Sequence, residues 1–468
     1  MAEMVHEDGS PSVSSSPLHF FPWMSPGLGS PYPWFRELKS EERGLYLIHL
    51  LCACANKVAV NSVENANIYL EHISHLASPD GDTMQRIAAY FTEAFAVRIL
   101  KRWPGLYRAL NSTKISSISD EIHVQKLFFE LCPFLKLAYL TTNHTIMEAM
   151  EGEKMIHIID LHSFEPAQWI NLLQSLSARP EGPPHLRITG IHEEKAVLHQ
   201  MALRLTEAAE KLDIPFQFNP IVSRLENLDP EKLHVKTGEA LAVSSVLQLH
   251  SLLATDNEML GLNSPSASRN PNSSHMQGVY HRTLGEWLEK EVPIYNLSAD
   301  SVSASSLAPS TKIGSFLTAL WNLSPKLVVI TEQESNHNGS SLMERVTEAL
   351  NFYAAMFDCL ESTMSRASVE RQKVEKMLFG EEIKNIIACE GSERKERHEK
   401  LEKWFMRLEL AGFGRVPLSN HAILQAKSLL QSYDYDGYKI KEENGCLVIC
   451  WQNSPLFSVS AWRFRRYQ

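Results

Sequence analysis

The chain has 468 residues, of which 44% are hydrophobic and 21% are charged, a composition typical of soluble globular proteins. Its 45 Lys and Arg residues against 55 Asp and Glu residues give a net charge of −10, which argues against a globally basic, nucleic-acid-binding surface and leaves only a local basic patch open. A chain of this length can bury a substantial core, so folding needs neither a disulfide nor a metal.

Seven cysteines, an odd number without a Cys-x-x-Cys pair, argue against a secreted disulfide framework and against a zinc ribbon. The first residues are acidic and rich in Ser and Pro, unlike a signal peptide. The sequence contains no apolar run long enough to span a membrane. We therefore expect a soluble intracellular protein with reduced thiols and no membrane contact.

Taken in chain order, residues 1–35 lack periodicity and are rich in Ser, Pro and Gly, which predicts a disordered tail. Ser40 followed by Glu41 and Glu42 predicts a helix start, because a side-chain oxygen caps free amides and acidic groups favour the positive end of the helix dipole. Apolar residues then recur at helical spacing within residues 47–58, 66–76 and 87–95. We expect a small helical bundle here.

The pattern changes at residue 155, where an apolar run from Met155 to Ile159 ends in Asp160, as in a parallel strand buried on both faces. Further strands are predicted at residues 186–189, 216–218, 240–243 and 326–330, with helical patterns between them. The C-terminal region predicts a hairpin, residues 438–441 and 446–451, that turns at Asn444-Gly445, and then a last strand. The fold class is therefore α/β, a Rossmann-like, doubly wound sheet of the class I methyltransferase type with a C-terminal antiparallel hairpin.

Two segments interrupt this alternation. Residues 261–312 are crowded with Ser, Asn, Pro and Gly and predict a disordered insertion. Residues 342–388 contain more helix than one crossover needs, and we expect them to pack with the N-terminal helices as a helical cap over the sheet.

Specific residues then resemble a known family, the plant GRAS proteins. The VHIID motif of that family is similar to the run Ile156, His157, Ile158, Ile159, Asp160, with Gln168 and Trp169 in the segment that accompanies it. The junction between the end of its PFYRE region and the start of its SAW region resembles Glu396, Arg397, His398 and Glu399. Its SAW signature resembles Ser460, Ala461 and Trp462, with Trp451 upstream. Several details look most like the scarecrow-like branch.

The resemblance implies one GRAS domain over residues 36–467. Its regions would be leucine repeat I at 43–106, the VHIID region at 125–190, leucine repeat II at 199–231, the PFYRE region at 241–390 and the SAW region at 391–467. It further implies a non-enzymatic co-regulator of transcription in the nucleus, with roles in gibberellin response and root development. The implied partners are other GRAS proteins, including the DELLA type, and indeterminate-domain zinc-finger transcription factors, so that DNA is reached only indirectly.

A methyltransferase is the main alternative on this fold. Such enzymes need glycines after the first strand, because the backbone must approach the cofactor closely. Here residues 161–166 contain no glycine, Phe164 would occupy the space of the cofactor and Pro166 lacks an amide donor. Glu193 or Glu194 could hold a ribose, but we expect no S-adenosylmethionine and no other cofactor. A different small ligand is left open.

Other candidate sites have plainer interpretations. His157 and Asp160 lie at odd separation on one strand and should point to opposite faces, so Asp160 is expected to brace the following helix start. His398 lies between Glu396 and Glu399, a pattern that suggests a metal site but is more typical of a solvated helix face. Glu332, Glu334 and His337 follow the fifth strand, where α/β folds bind ligands. We interpret them as ordinary polar residues of a loop. We interpret the tryptophans of the C-terminal region as anchors of the sheet.

Direct DNA binding is the third possibility. The segment from Lys384 to Lys403 is rich in charge, but Glu residues are interleaved in what we take to be a helix, so its net positive field is small. Arg463, Arg465 and Arg466 form the one compact basic run. We interpret them as a charged terminus, with part of a nuclear import signal as the alternative. We therefore expect promoter association through a DNA-binding partner.

Overall fold

The computed structural model describes residues 33–112, 118–254, 311–433 and 436–465. Within these residues, nine strands form one mixed sheet with the order β3-β2-β1-β4-β5-β9-β8-β7, and β6 pairs with β9. The strands are β1 Met155–Asp160, β2 His185–His192, β3 Phe216–Val222, β4 Ala240–Val246, β5 Leu327–Gln333, β6 Phe413–Val416, β7 Tyr438–Glu443, β8 Cys446–Trp451 and β9 Ser454–Phe464.

The first five strands are parallel, and β9 runs antiparallel to β5. This arrangement confirms the predicted Rossmann-like sheet with an antiparallel C-terminal extension. Asn444 and Gly445 connect β7 to β8 with φ angles of 52° and 77°, as a tight hairpin turn requires. The strands extend beyond the predicted cores, and the short strand β6 was not predicted.

The helices divide into an N-terminal and a C-terminal group. The first group is α1 Pro33–Glu37, α2 Ser40–Ala59, α3 Val63–Leu76, α4 Thr83–Leu100, α5 Pro104–Asn111, α6 Ile118–Leu131, α7 Phe134–Ala149, α8 Pro166–Ser177 and α9 Lys195–Lys211. The second group is α10 Lys312–Asn322, α11 Leu342–Thr363, α12 Val369–Val374, α13 Gly380–Ala388, α14 Leu401–Leu410 and α15 Asn420–Gln431. A π-helical turn, Glu375–Phe379, joins α12 to α13.

Helices cover both faces of the sheet. Ile156 and Ile158 belong to the larger apolar core, which includes Trp169 of α8 and extends into the cap. Ile159 belongs to a second core on the opposite face, together with side chains of α10 and α14. Successive side chains of β1 are buried on opposite faces of the sheet. The sequence of the strand is therefore an almost unbroken apolar run.

The predicted cap is present and is built from two distant parts of the chain. Helices α2 and α4 pack against α11, and α4 also packs along α13. Asp82 caps the start of α4 by accepting from the Gln85 amide at 3.0 Å, and it also pairs with Arg43 of α2. Arg86 of α4 forms a buried ion pair with Glu375, which lies 289 residues away.

The predicted helix start at Ser40 is confirmed, but Lys39 is the N-cap of α2 and the Ser40 hydroxyl donates a hydrogen bond to Asp82. The predicted tail of residues 1–35 overlaps α1, whose Phe35 is buried against the core, and only residues 33–35 of it are described. The predicted insertion of residues 261–312 lies outside the described residues except at its end, where Thr311 caps α10.

Candidate functional site

A cavity of about 490 Å³ lies between the sheet and the cap, at the carboxyl ends of β1, β4 and β5. The strand order reverses between β1 and β4, because β2 lies on one side of β1 and β4 on the other. Ligands of open α/β sheets bind at such a point. The cap contributes an apolar wall that includes Phe352, Met356, Met377 and Phe379.

The loop after β1 borders this cavity with aromatic rings. The ring of His162 stacks on Phe164 at 5.9 Å, with the planes 7° apart, and on His192 at 5.2 Å. Burial lowers the pKa of His162 to about 3, so the ring is neutral. His162 and Phe164 therefore lie in the loop where a methyltransferase has glycines, at the edge of the cavity where that enzyme would bind its cofactor. Glu193, the candidate ribose ligand, forms an ion pair with Arg224.

The two polar residues of the VHIID motif point to opposite faces of the sheet. His157 is fully buried, and its Nε2 lies 2.8 Å from the Thr189 hydroxyl. Asp160 accepts hydrogen bonds from the Trp169 indole at 2.7 Å and from the Ser163 hydroxyl at 2.8 Å. The two side chains form no acid/base pair, and Asp160 connects β1 to the first turns of α8. Beside Trp169, the backbone carbonyl of the buried Gln168 accepts a hydrogen bond from the side-chain amide of Asn143.

A polar cluster of His250, Glu332, His337, Glu396 and His398 lies at the floor of the cavity, and we call it the His/Glu cluster. His250, Glu396 and His398 line the cavity, and the buried Glu332 and His337 lie behind them. The ring of His250 bonds Glu332 through Nδ1 at 2.9 Å and lies 3.4 Å from Glu396 through Nε2. The ring of His398 contacts His337, with 2.9 Å between their Nδ1 atoms, and its centroid lies 4.1 Å from that of His250.

Electrostatics differ sharply across this cluster. Burial lowers the pKa of His250, but the carboxylates of Glu332 and Glu396 outweigh burial and raise it to about 10. Burial and the neighbouring positive charge of His250 hold the pKa of His398 well below its usual range. Burial, reinforced by Glu396, raises the pKa of Glu382 to about 8. The cavity floor thus presents one charged imidazole, one neutral imidazole and several carboxyl groups.

Two sequence interpretations are wrong here. His398 does not lie on a solvated helix face, because α13 ends at Ala388, α14 begins at Leu401 and His398 is 1% exposed in the segment between them. Glu332 and His337 are not ordinary polar residues of an exposed loop either, since both are buried within the cluster. Glu334 accepts from the Leu401 amide at 3.1 Å, and burial raises its pKa to about 7.

The segment of residues 394–400 is held in place by a buried charge network. Glu399 makes a two-point ion pair with Arg407 at 2.6 and 2.9 Å and accepts from the Asn338 amide at 2.7 Å. Arg397 donates to the Gly391 carbonyl and to Asn338. These contacts fix the segment that carries His398 into the cavity.

Sequence reasoning did not single out His250 or Arg407. The signal for His250 was its position just after β4, at the carboxyl edge of the sheet.

The C-terminal motif lies in the sheet. Ala461 pairs with Val329 across β9 and β5, and Ser460 pairs with Ile330. Trp462 is fully buried, donates to the Ser460 hydroxyl at 2.9 Å and packs against Phe405. Trp451 donates to Asp358 of α11 at 2.7 Å.

Comparison with known proteins identifies the family. The profile of the GRAS domain family matches residues 47–463. The chain belongs to the GRAS family. It is 61% identical to Scarecrow-like protein 3 of Arabidopsis thaliana over 100% of both chains, which places it in that branch of the family. It is 33% identical to DELLA protein RGL1 of Arabidopsis thaliana, over 92% of this chain and 72% of that protein.

A solved structure supports the same assignment. The crystal structure of SCL7 in Oryza sativa matches this GRAS domain with a TM-score of 0.69 and 30% identity, over 89% of this chain and 99% of that one. The GRAS chain is thus a plant transcriptional regulator of development and gibberellin signalling. Among the helices that the structure describes, none is both long and apolar enough to cross a bilayer.

Proposed function

We propose that this GRAS protein is a non-enzymatic co-regulator that acts in the nucleus through protein contacts. It pairs with other GRAS proteins, including the DELLA type, and reaches promoters through indeterminate-domain zinc-finger factors. The observation that supports the proposal is the pairing of lysines in its charge-rich segment, residues 384–403, with carboxylates of the same chain.

That segment is not the single helix predicted from the sequence, since α13 and α14 are separated by residues 389–400. Two of its lysines form ion pairs with acidic side chains. Lys384 pairs with Glu93 and Glu381 at 2.9 and 2.7 Å, and Lys395 pairs with Glu226 at 2.6 Å. Phosphate contacts from Lys and Arg supply most non-specific DNA affinity, so paired lysines in a chain of net charge −10 contribute little of it.

Helix α5 supplies a surface suited to a protein partner. It buries none of its residues, and Leu106 and Leu110, one helical turn apart, are 50% and 53% exposed. Trp103 at its N-cap is 48% exposed. Aromatic and aliphatic side chains grouped in this way are typical anchors of protein interfaces. We call this group the α5 surface.

A mobility-shift assay at physiological salt tests the proposal. The GRAS protein alone should not shift a promoter fragment, whereas adding an indeterminate-domain factor should give a larger complex than that factor forms alone. The double variant Leu106→Ser/Leu110→Ser should weaken the larger complex if the α5 surface is the contact. Leu203→Ser on α9, another exposed leucine, is the matched control.

Sequence-selective binding by the GRAS protein alone would contradict the co-regulator proposal and favour a direct DNA-binding factor. A full-strength ternary complex from the double variant would exclude the α5 surface while leaving the co-regulator role intact. A fluorescent fusion expressed in plant cells tests the nuclear location, and exclusion of the fusion from nuclei would contradict it.

A further inference from the structure

Three side chains of the His/Glu cluster bring potential metal ligands together at the cavity wall. They are His250, which follows β4, and Glu396 and His398, which precede α14. One donor atom from each lies within 4.8 Å of the other two. Two imidazoles and one carboxylate are a donor set that zinc and other first-row dications favour.

The distances fit a tetrahedral ion. Oε2 of Glu396 lies 3.4 Å from Nε2 of His250 and 3.3 Å from Nε2 of His398. Ligand atoms held at ~2.0–2.1 Å from zinc in a tetrahedron are separated by about 3.3 Å. The distances from the Glu396 carboxylate to the two Nε2 atoms therefore already match the separation between two ligands of one zinc ion.

The opposite nitrogen of each ring is engaged, as it is in natural metal centres. Nδ1 of His250 bonds the buried Glu332 carboxylate, and Nδ1 of His398 faces Nδ1 of His337. His337 is held in turn by Ser335, 2.8 Å from its Nε2. Such partners fix ring orientation and leave the remaining nitrogen directed at the ion.

Nε2 of His398 supplies an independent sign of a ligand. The side chain is 1% exposed, and this nitrogen makes no hydrogen bond despite its proximity to Glu396. Buried polar atoms are nearly always hydrogen-bonded, so an orphaned imidazole nitrogen in a polar cluster calls for a partner.

We propose that His250, Glu396 and His398 form a Zn²⁺ site with its fourth position open to the cavity. The ion joins the Leu249–Leu253 segment after β4 to the segment before α14, which lie far apart in the sequence. Binding releases the Nε2 proton of His250 to the solvent, because a ligating imidazole nitrogen cannot keep its proton. The ion neutralises the excess of carboxyl groups at the cavity floor and presents one exchangeable position to water or to a small anionic ligand.

The test uses the full chain without a histidine tag, stripped with chelator and re-dialysed. Zinc content at equilibrium should approach one tightly bound ion per chain, and zinc should raise the melting temperature. Replacement with Co²⁺ should give the visible absorption of a tetrahedral nitrogen-and-oxygen site. A near-ultraviolet thiolate band would instead assign the metal to the free cysteines, such as the half-buried Cys52 and Cys389, and would overturn the proposal.

The variants Glu396→Gln and His398→Gln should each weaken zinc binding by roughly 100-fold or more. Glu332 contacts the ligand His250 and not the ion, so Glu332→Gln should weaken binding by about 10-fold. Glu226→Gln is the matched control, because Glu226 pairs with Lys395 beside the site without supplying a donor. Circular dichroism checks that each variant folds. Equal zinc affinity in Glu396→Gln and the parent, or no zinc bound by the parent, would show that the cluster is a metal-free ion-pair network.

Discussion

The carboxylate of Asp160 and the indole of Trp169 are joined by a buried hydrogen bond of 2.7 Å, which connects the end of β1 to α8. Ser163 and the His162 amide donate to the same carboxylate. Removing an acceptor from several buried donors leaves each without a partner. The VHIID aspartate therefore has a structural task independent of any ligand.

The first prediction concerns this bond. Asp160→Ala should lower the free energy of unfolding by roughly 3 kcal/mol, because the buried donors lose their acceptor. Asp160→Asn keeps an acceptor oxygen and should cost less. Urea denaturation measures both, with the exposed Asp436→Ala as control. An Asp160→Ala protein that melts like the parent yet loses its partners would make this residue an interface element.

The second prediction concerns the SAW tryptophan. Trp462→Ala should destabilise the protein by about 3–5 kcal/mol, since a fully buried indole leaves a large cavity between β9 and α14. Trp103→Ala, at a half-exposed indole of the α5 surface, should leave the melting temperature nearly unchanged. Scanning calorimetry distinguishes the two. Unchanged stability in Trp462→Ala would contradict its role as an anchor of the sheet.

The third prediction concerns pH. Burial, followed by the charge of Arg187, lowers the pKa of His157 to about 4. Between pH 6.5 and 4, His157 is protonated in the unfolded chain but stays neutral in the folded chain. Its contribution to the free energy of unfolding is therefore lost as the pH falls. The loss from this group at pH 5 is about 2 kcal/mol. The fall in unfolding free energy from pH 7.5 to pH 5 should be smaller in His157→Gln, and an identical fall would contradict the assignment.

The fourth prediction concerns the cap. Arg86→Met leaves Glu375 buried without its bidentate partner and should cost roughly 3–5 kcal/mol. Lys326→Ala breaks an exposed pair with Glu153 and should cost less than about 1 kcal/mol. Thermal unfolding monitored by circular dichroism compares them. Equal losses would mean that burial does not set the strength of the Arg86 contact.

The fifth prediction concerns S-adenosylmethionine. Because aromatic side chains stand where a methyltransferase has glycines, calorimetric titration should give no binding heat. A known methyltransferase titrated under the same conditions is the positive control. Micromolar binding would overturn the non-enzymatic proposal.

Local patterns were enough to predict most of the sheet. The apolar run of β1 and the Asn444-Gly445 turn each depend on neighbouring residues, so sequence predicted both correctly. The prediction for the segment around His398 was wrong because its alternating charges resemble those of a solvated helix. Its burial depends on Asn338 and Arg407, contacts that only the tertiary fold brings together. His250 was missed for the same reason, since its carboxylate partners lie on β5 and beside α14.

The division of the cap between two distant segments has a consequence for synthesis. Helices α2 to α4 leave the ribosome long before α13, and Glu375, 289 positions after Arg86, must be made before their ion pair can form. Until then, apolar faces that α11 and α13 will cover are open to solvent and to other nascent chains. We expect chaperones to hold the N-terminal helices during this interval, and truncated transcripts that stop before residue 380 to yield aggregating protein.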